Sequence, residues 1–423
     1  MTELGEIPNE WEIISLDECG KVFGGNAFKS NNFVMECDEN YYQVIRMGNV
    51  QLGYLDINRN PVYLNKKAIN EKEKKYLLNN SDVLISLTGT INKNDYGNVA
   101  WVSKNDIYLL NQRVACLRNE NKDYNNRYYY YFLQSDLFRK QFFECGVGGT
   151  GNQANVSIND ISNIKVYKVP INEQEKIASI LSTVDEQIDN TEKLIQKNQE
   201  LKKGLMQQLL TKGIGHTKFK KTELGEIPEE WEVKKLGEIV DVVSGATPKT
   251  NIEEYWNNGN IYWATPTDIT SNGKYIKETE KSITETGLKN CSAKLLPEGS
   301  ILMSSRATIG ERCINVVPMA TNQGFKSLIC KNGINNEFIY YYIDILKEKF
   351  IVLASGSTFL EISKKIVEDI KVALPSFEEQ EKIALILSTV DKKIDQYQNK
   401  KEKLEEVKKG LMQQLLTGKI RVM

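Results

Sequence analysis

The residue types that carry chemistry are sparse in this 423-residue chain. One histidine occurs, His216, in the stretch TKGIGHTKFKK. A single imidazole in a polar linker reads as a surface residue, which removes histidine-based triads and most zinc coordination. Seven cysteines (Cys19, Cys37, Cys116, Cys145, Cys291, Cys313 and Cys330) are scattered without a CxxC pair. They read as reduced, buried thiols in a cytoplasmic protein, not as a disulfide or zinc framework. No GxxxxGK[ST] phosphate loop occurs. The glycine cluster GVGGTGNQAN (Gly146–Asn155) lacks the strand-to-helix context and downstream acid of a dinucleotide fold, and reads as a mobile loop. NRNPVY (Asn58–Tyr63) has one proline where the Asn-Pro-Pro-aromatic motif of amino methylation needs two. Carboxylates are plentiful, yet none pairs with a nearby lysine in a nuclease pattern. The expectation is a chain that is not an enzyme by itself, with no metal site and no cofactor of its own.

Bulk properties are those of an ordinary water-exposed protein. Apolar residues make up 40% and charged residues 26%, with a net charge of −1. No half is a basic domain, so any nucleic-acid surface must be a local patch or be shared with a partner. No apolar run approaches the roughly 20 residues of a bilayer span. The N-terminus MTELGEIPNEW has neither the basic start nor the apolar stretch of a signal peptide. These features predict a cytoplasmic location and no membrane partner.

The organisation is carried by repeats. EQEKIASILSTVDEQID (Glu173–Asp189) returns as EQEKIALILSTVDKKID (Glu379–Asp395), identical at 14 of 17 positions with an offset of 206. KKGLMQQLLT recurs unchanged at Lys202–Thr211 and Lys408–Thr417, at the same offset. TELGEIPNEW (Thr2–Trp11) recurs as TELGEIPEEW (Thr222–Trp231). The unit is therefore an opening segment, a body and a long helix, written twice: a domain duplication and not a solenoid. The bodies have diverged around a shared skeleton. Asn79–Ile91 corresponds to Leu296–Gly310, Leu109–Arg118 to Met319–Ile329, and Asn126–Phe142 to Asn336–Phe350. Short β-rich runs such as Val83–Leu87 and Ile301–Met303 predict strands, and the tyrosine-rich segments predict one amphipathic helix per body.

Both repeated segments follow a proline stop, Pro170 and Pro375, and contain no proline inside. In the first, Ile177, Leu181, Val184, Ile188 and Ile195 form a narrow apolar stripe; in the second, Ile383, Leu387, Val390, Ile394 and Tyr397 do the same. A long rod with one apolar seam needs a partner helix, and the chain supplies its own second copy. The alternative is that each rod packs only on its neighbouring body. Asn198 and Lys401 read as polar positions that set the register. The expected fold is mixed α/β (α+β). Two globular domains, 1–170 and 214–375, alternate with long helices in 171–213 and 376–423, which pair as an antiparallel coiled coil with pseudo-twofold symmetry.

At this point the motifs resemble a family. The doubled LGEIPxxW opening, EQxKIAxILSTVDxxID and KKGLMQQLLT are similar to those of DNA-specificity (S) subunits of type I restriction-modification systems. The resemblance covers nearly the whole chain. It implies a non-catalytic, sequence-specific DNA-recognition subunit with two target-recognition domains, one for each half of a bipartite, asymmetric target. It also implies that the paired helices dock two modification (methyltransferase) subunits, which restriction (translocase and endonuclease) subunits then join on double-stranded DNA. AdoMet, ATP and Mg²⁺ would belong to those partners of DNA methylation and restriction. The repeats alone leave open a coiled-coil scaffold whose two globular domains bind other proteins.

Base readout requires hydrogen-bonding side chains on exposed loops. In the first body the candidates are Lys29, Arg46, Asn49, Thr88, Thr90, Asn92, Lys93, Gln112, Arg113, Asn152 and Gln153. In the second they are Thr247, Lys249, Thr250, Thr265, Thr267, Ser304, Ser305, Arg306, Thr308, Gln323, Lys326, Ser357 and Thr358. Trp263 and the run Tyr128–Tyr131 read as core.

Overall fold

The computed structural model describes residues 7–90, 93, 95–105, 107–148, 153–271, 273–354 and 360–422, without the side chains of residues 147, 148 and 153. Two compact units result. One is Met1–Glu192 with Asn399–Met423; the other is Lys193–Gln398. Each unit thus contains one body, the start of the long helix that follows it, and the end of the other long helix. The first long helix is Ile171–Lys212 and the second is Phe377–Leu415.

In the first unit a four-stranded antiparallel sheet runs Lys21–Gly24, Val114–Arg118, Val83–Ser86, Val99–Trp101. Val83, Leu84 and Ile85 are fully buried on it, as their continuous apolar run requires. A three-stranded sheet places Tyr41–Ile45 between Tyr108–Leu110, parallel, and Tyr63–Asn65, antiparallel. The second unit has a five-stranded sheet that includes Val240–Ser244, Lys326–Cys330 and Ile301–Met303. Its three-stranded sheet sets Ile261–Ala264 parallel to Met319–Thr321. In both bodies the strand after the opening segment pairs antiparallel with the strand before the long helix: Glu12–Ser15 with Lys165–Lys168, and Glu232–Lys235 with Lys371–Leu374.

The tyrosine-rich helix is continuous in the second body, Asn336–Leu353. In the first it is broken into Asn126–Phe132 and Asp136–Glu144, because Ser135 caps the later piece by accepting a bond from the Phe138 amide. Tyr128, Tyr129, Tyr130, Tyr131 and Trp263 are core, as expected. The glycine cluster is not a simple loop. Val147–Gly148 pairs with Gln153–Asn155, which pairs in turn with Thr88–Thr90. Among the cysteines Cys37 is exposed, against expectation, while burial pushes the thiols of Cys19, Cys313 and Cys330 up to about 12. Those three stay protonated and unreactive.

The long helices do two things at once. Ile177 and Leu181 are fully buried in one cluster that joins body residues such as Trp11 and Tyr128 to Leu415 and Leu416 from the end of the second helix. Ile383 and Leu387 do likewise with Trp231, Tyr341, Leu209 and Leu210. Packing on the body and pairing with the other helix therefore coexist. Ile195, Val390 and Ile394 are buried, and Val184, Ile188 and Tyr397 are half-buried. In the first unit Asp185 meets Lys408 at 2.6 Å and Glu192 meets Lys401 at 2.5 Å, so residue numbers rise on one helix as they fall on the other. The helices are antiparallel there. The same register recurs in the second unit, where Asp391 meets Lys202 at 2.7 Å. Asn198 does not set register: its amide donates to Leu194 O of its own helix, 2.7 Å away.

Each lysine–aspartate pair is joined to its body by a tyrosine. Tyr131 Oη donates to Asp185 Oδ2 (2.7 Å) and Tyr341 Oη to Asp391 Oδ2 (2.5 Å). Burial, helped by the bond to Asp391, holds the Tyr341 phenol above its ordinary value, so it stays a donor. Lys408 and Lys202 sit over those same rings at 5.7 Å. A double-mutant cycle on Lys408→Ala and Asp185→Ala should give a coupling of about 1 kcal/mol, the upper end for ion pairs that are not fully buried. A value near zero would remove this pair as a register lock.

Candidate nucleic-acid interface

In the first body the chain passes from one sheet to the other through the turn Asn111-Gln112-Arg113, between Tyr108–Leu110 and Val114–Arg118. Arg113 is held there at φ +69, a left-handed conformation that a side-chain-bearing residue adopts only under constraint. The turn is pressed against Gly25, where an added Cβ would stand 2.1 Å from the Asn111 carbonyl oxygen. Only glycine tolerates that approach. Beside the turn, strand Tyr41–Ile45 ends at Arg46 and enters the short turn Met47–Asn49.

Asn49 organises this corner. Its Oδ1 accepts from the Arg46 amide (2.9 Å), and its Nδ2 donates to Asp56 O (3.0 Å) and Arg59 O (2.9 Å). Arg46 Nη2 in turn donates to Asn60 O at 2.5 Å. The result is a cleft of about 350 Å³ lined by Arg46, Arg59, Arg113, Asn60, Asn111 and Gln112, with Met47, Gly48 and Asn49 behind them. Arginine, asparagine and glutamine are the side chains suited to base edges and phosphates. Arg46, Gln112 and Arg113 are thus brought together as candidates. Arg59, Asn60 and Asn111 were missed. Arg59 and Asn60 lie in NRNPVY, dismissed as a failed methylation motif, and nothing in the linear spacing ties them to Arg46.

The second body has the same corner with other side chains. Asp268 stands where Asn49 does and accepts from the Thr265 amide (2.7 Å) and Thr265 Oγ1 (2.6 Å). Gly245 repeats Gly25, its Cβ position lying 1.9 Å from Asn322 O. The turn reads Asn322-Gln323-Gly324, and Thr247 donates to the Gln323 amide oxygen. Thr267 is exposed on the helix Pro266–Ser271.

Five expected reading residues are buried, which corrects their placement on open loops. Asn49 is 2% exposed and fully bonded to backbone. Thr88 is buried in its strand and donates to Asn155 Oδ1 (2.9 Å). Ser304 and Ser305 are fully buried; the Ser304 hydroxyl donates to Arg306 O, and Ser305 Oγ lies 3.5 Å from Lys326 Nζ. Lys326 is buried against Glu361 (3.3 Å), which also pairs with Arg306 (2.7 Å). Burial raises the Glu361 carboxyl, but the bonds from Arg306 and Lys326 outweigh it and hold the group below its ordinary value. Thr90 is bound through its amide and hydroxyl to Asp95. Lys29, Lys93, Lys249, Thr250 and Thr308 are exposed. Asn92, Asn152, Ser357 and Thr358 lie outside the described residues, as does the Gln153 side chain.

His216 is not a free surface residue. Its Nε2 lies 2.9 Å from Glu379 Oε1, and Glu379 also accepts from Trp231 Nε1 (3.0 Å) and the Ile214 amide (2.9 Å). In the first unit Glu173 accepts from Trp11 Nε1 (3.0 Å), and Arg421 takes the place of the histidine at 2.7 Å. Both carboxylates are thus structural pins. Among the described residues no three His, Cys, Asp or Glu groups gather as metal ligands, and no helix is long and apolar enough to cross a membrane.

The chain is similar to known proteins. The model of the type I restriction modification DNA specificity domain matches residues 8–203 and 228–406. A putative type I restriction enzyme MjaX specificity subunit from Methanocaldococcus jannaschii is 31% identical over 440 residues, covering 100% of this chain and 96% of that protein. The MjaVIII specificity subunit of the same organism is 30% identical over 427 residues, covering 98% and 94%. The S subunit of a type I restriction-modification system from M. genitalium has the same fold, with a TM-score of 0.61 at 19% identity over 98% of this chain and 99% of that one. The chain belongs to the type I restriction-modification DNA-specificity family.

Proposed function

We propose that this chain is the sequence-specific DNA-recognition subunit of a type I restriction-modification complex and has no catalytic role of its own. The first body, within 1–170, reads one half of a split target, and the second, within 214–375, reads the other. One observation carries the reading: the same corner of the same scaffold bears Arg46 and Arg113 in one body and Thr265 and Gly324 in the other. A reader of two unlike half-sites requires that combination.

The docking of two modification subunits is supported by surfaces that occur twice. Glu175, Lys176 and Thr183 on the first long helix are exposed, and so are their identical counterparts Glu381, Lys382 and Thr389. The three substituted pairs, Ser179/Leu385, Glu186/Lys392 and Gln187/Lys393, are exposed as well, where a change costs the packing nothing. Equivalent surfaces bind equivalent partners. Restriction subunits join that assembly in the cytoplasm, and AdoMet, ATP and Mg²⁺ are bound by the partners. Footprinting the complex with its modification subunits should show two separated half-sites. A single contiguous site, or none, would overturn the reading. Exchange of one body for a relative's should change one half-site only; loss of specificity with no new one would favour the protein-binding scaffold.

A further inference from the structure

The chain contains nine arginines. Six are engaged elsewhere. Arg118 pairs with Asp82, Arg306 with Glu361, Arg312 with Asp344 and Arg421 with Glu173. Arg127 lies over the rings of Trp101, Tyr130 and Tyr131, and Arg139 over Phe143. The other three, Arg46, Arg59 and Arg113, line one cleft in the first body. No acidic residue lines that cleft, and among the described residues none of the three is ion-paired. Arg59 and Arg113 are exposed, and their guanidinium groups make no hydrogen bond among those residues.

Three unpaired guanidinium groups around one concavity call for a ligand rich in acceptors. On DNA two groups qualify: a backbone phosphate, and the guanine edge with its O6 and N7, which an arginine fork meets bidentately. Phosphates are alike at every step, so a phosphate clamp at this corner would be written into both bodies. It is not. Thr265 stands for Arg46 and Gly324 for Arg113, while the glycine against the turn, the Asn-Gln pair and the buried anchor at Asn49 or Asp268 keep their places. Apart from the exchange of Asn49 for Asp268 at the anchor, the chemistry that changes is that of Arg46 and Arg113, which is the mark of base reading and not of positioning.

We propose that this cleft is the guanine-reading element of the first body, with Arg59 and Arg113 as the forks and Arg46 bracing the Asn60 backbone between them. The inference rests on the recognition role given above. The first half-site then contains a guanine whose reading the second body does not duplicate.

The test is methylation by the assembled complex of a target library randomised in both halves. Arg113→Gly is the principal variant, because φ +69 suits glycine and the substitution removes the guanidinium without threatening the turn. Arg59→Gln is the second variant, and thermal unfolding at the wild-type temperature certifies both. The expected result is a roughly tenfold to hundredfold loss of preference for guanine at one position of one half-site. The other half-site should be read as before. A uniform fall in methylation with every preference intact, and a salt dependence lower by about one ion, would make the arginines phosphate contacts and overturn the inference while leaving the recognition role standing. A first half-site without guanine would also overturn it. A wild-type complex with no split target would overturn the recognition role itself.

Discussion

Glu173→Gln is expected to destabilise the first unit by about 3 kcal/mol. Glu173 is 4% exposed and is the shared acceptor for Trp11 Nε1, Arg421 Nε and Arg421 Nη2, with the Val422 amide at 3.4 Å. Glutamine keeps one oxygen and turns an amide donor toward a guanidinium that has only donors. Arg421 is then left with Glu10 at 2.8 Å, at the open edge of the cluster. Both carboxylates hold the Arg421 proton tightly, pushing the guanidinium above its ordinary value. Glu379→Gln in the second unit should cost less, about 1–2 kcal/mol: Trp231 and Ile214 donate to different carboxylate oxygens, so the one amide oxygen keeps one of them, but the other lost partner is an imidazole and not a guanidinium. Hydrogen exchange reads the two units separately. Protection should fall across Glu12–Ser15 and Lys165–Lys168 in the first variant and across Glu232–Lys235 and Lys371–Leu374 in the second. Equal losses in the two variants would show that the arginine charge contributes nothing.

The other large effect is steric. Gly25→Ala and Gly245→Ala each place a methyl group about 2 Å from a backbone carbonyl oxygen, of Asn111 or Asn322. Neither oxygen belongs to a flexible side chain, so a strand end or a turn must move. Overpacking of this kind costs about 3 kcal/mol or more, roughly 10 °C in the melting of a unit of this size. The displaced turn carries Gln112 and Arg113 in one case and Gln323 in the other. Each substitution should therefore abolish reading of one half-site and spare the other. Binding to targets with one half-site scrambled at a time measures this. Loss of both half-sites from a single glycine change would mean that the corners are not separate readers.

Much of the architecture was legible because it is periodic or repeated. The apolar stripe from Ile177 and its copy from Ile383 mark helices whatever surrounds them, and 17-residue segments identical at 14 positions mark a duplication. The candidate site was legible only in part. Arg46, Gln112 and Arg113 were legible as hydrogen-bonding side chains of the kind base readout needs. Arg59 and Asn60 were not, because a buried asparagine side chain draws their loop into place by long-range backbone bonds that leave no spacing in the sequence. Polarity also misled. Ser304, Ser305 and Lys326 look like groove readers, yet they are buried: the Glu361 carboxylate takes Lys326, Lys326 reaches Ser305, and Ser304 donates to the Arg306 carbonyl. The exchange of His216 for Arg421 between two otherwise matching pins was equally invisible, since each lies past the end of its repeat.

The mixed make-up of the first unit has a consequence for the order of events on the ribosome. Residues 1–192 are synthesised first, but the segment that completes their core, with Leu411, Met412, Leu415, Leu416 and the Arg421 pin, is synthesised after everything in the second unit. The earlier body must wait, with Ile177 and Leu181 only partly covered, while Lys193–Gln398 becomes complete ahead of it. Nascent chains are thus vulnerable at their beginning and not at their growing end, and that is where a chaperone would be needed. The 2.8 Å bond between Arg421 and Glu10 closes this circuit, tying the last-made segment of the unit back to its first-made one.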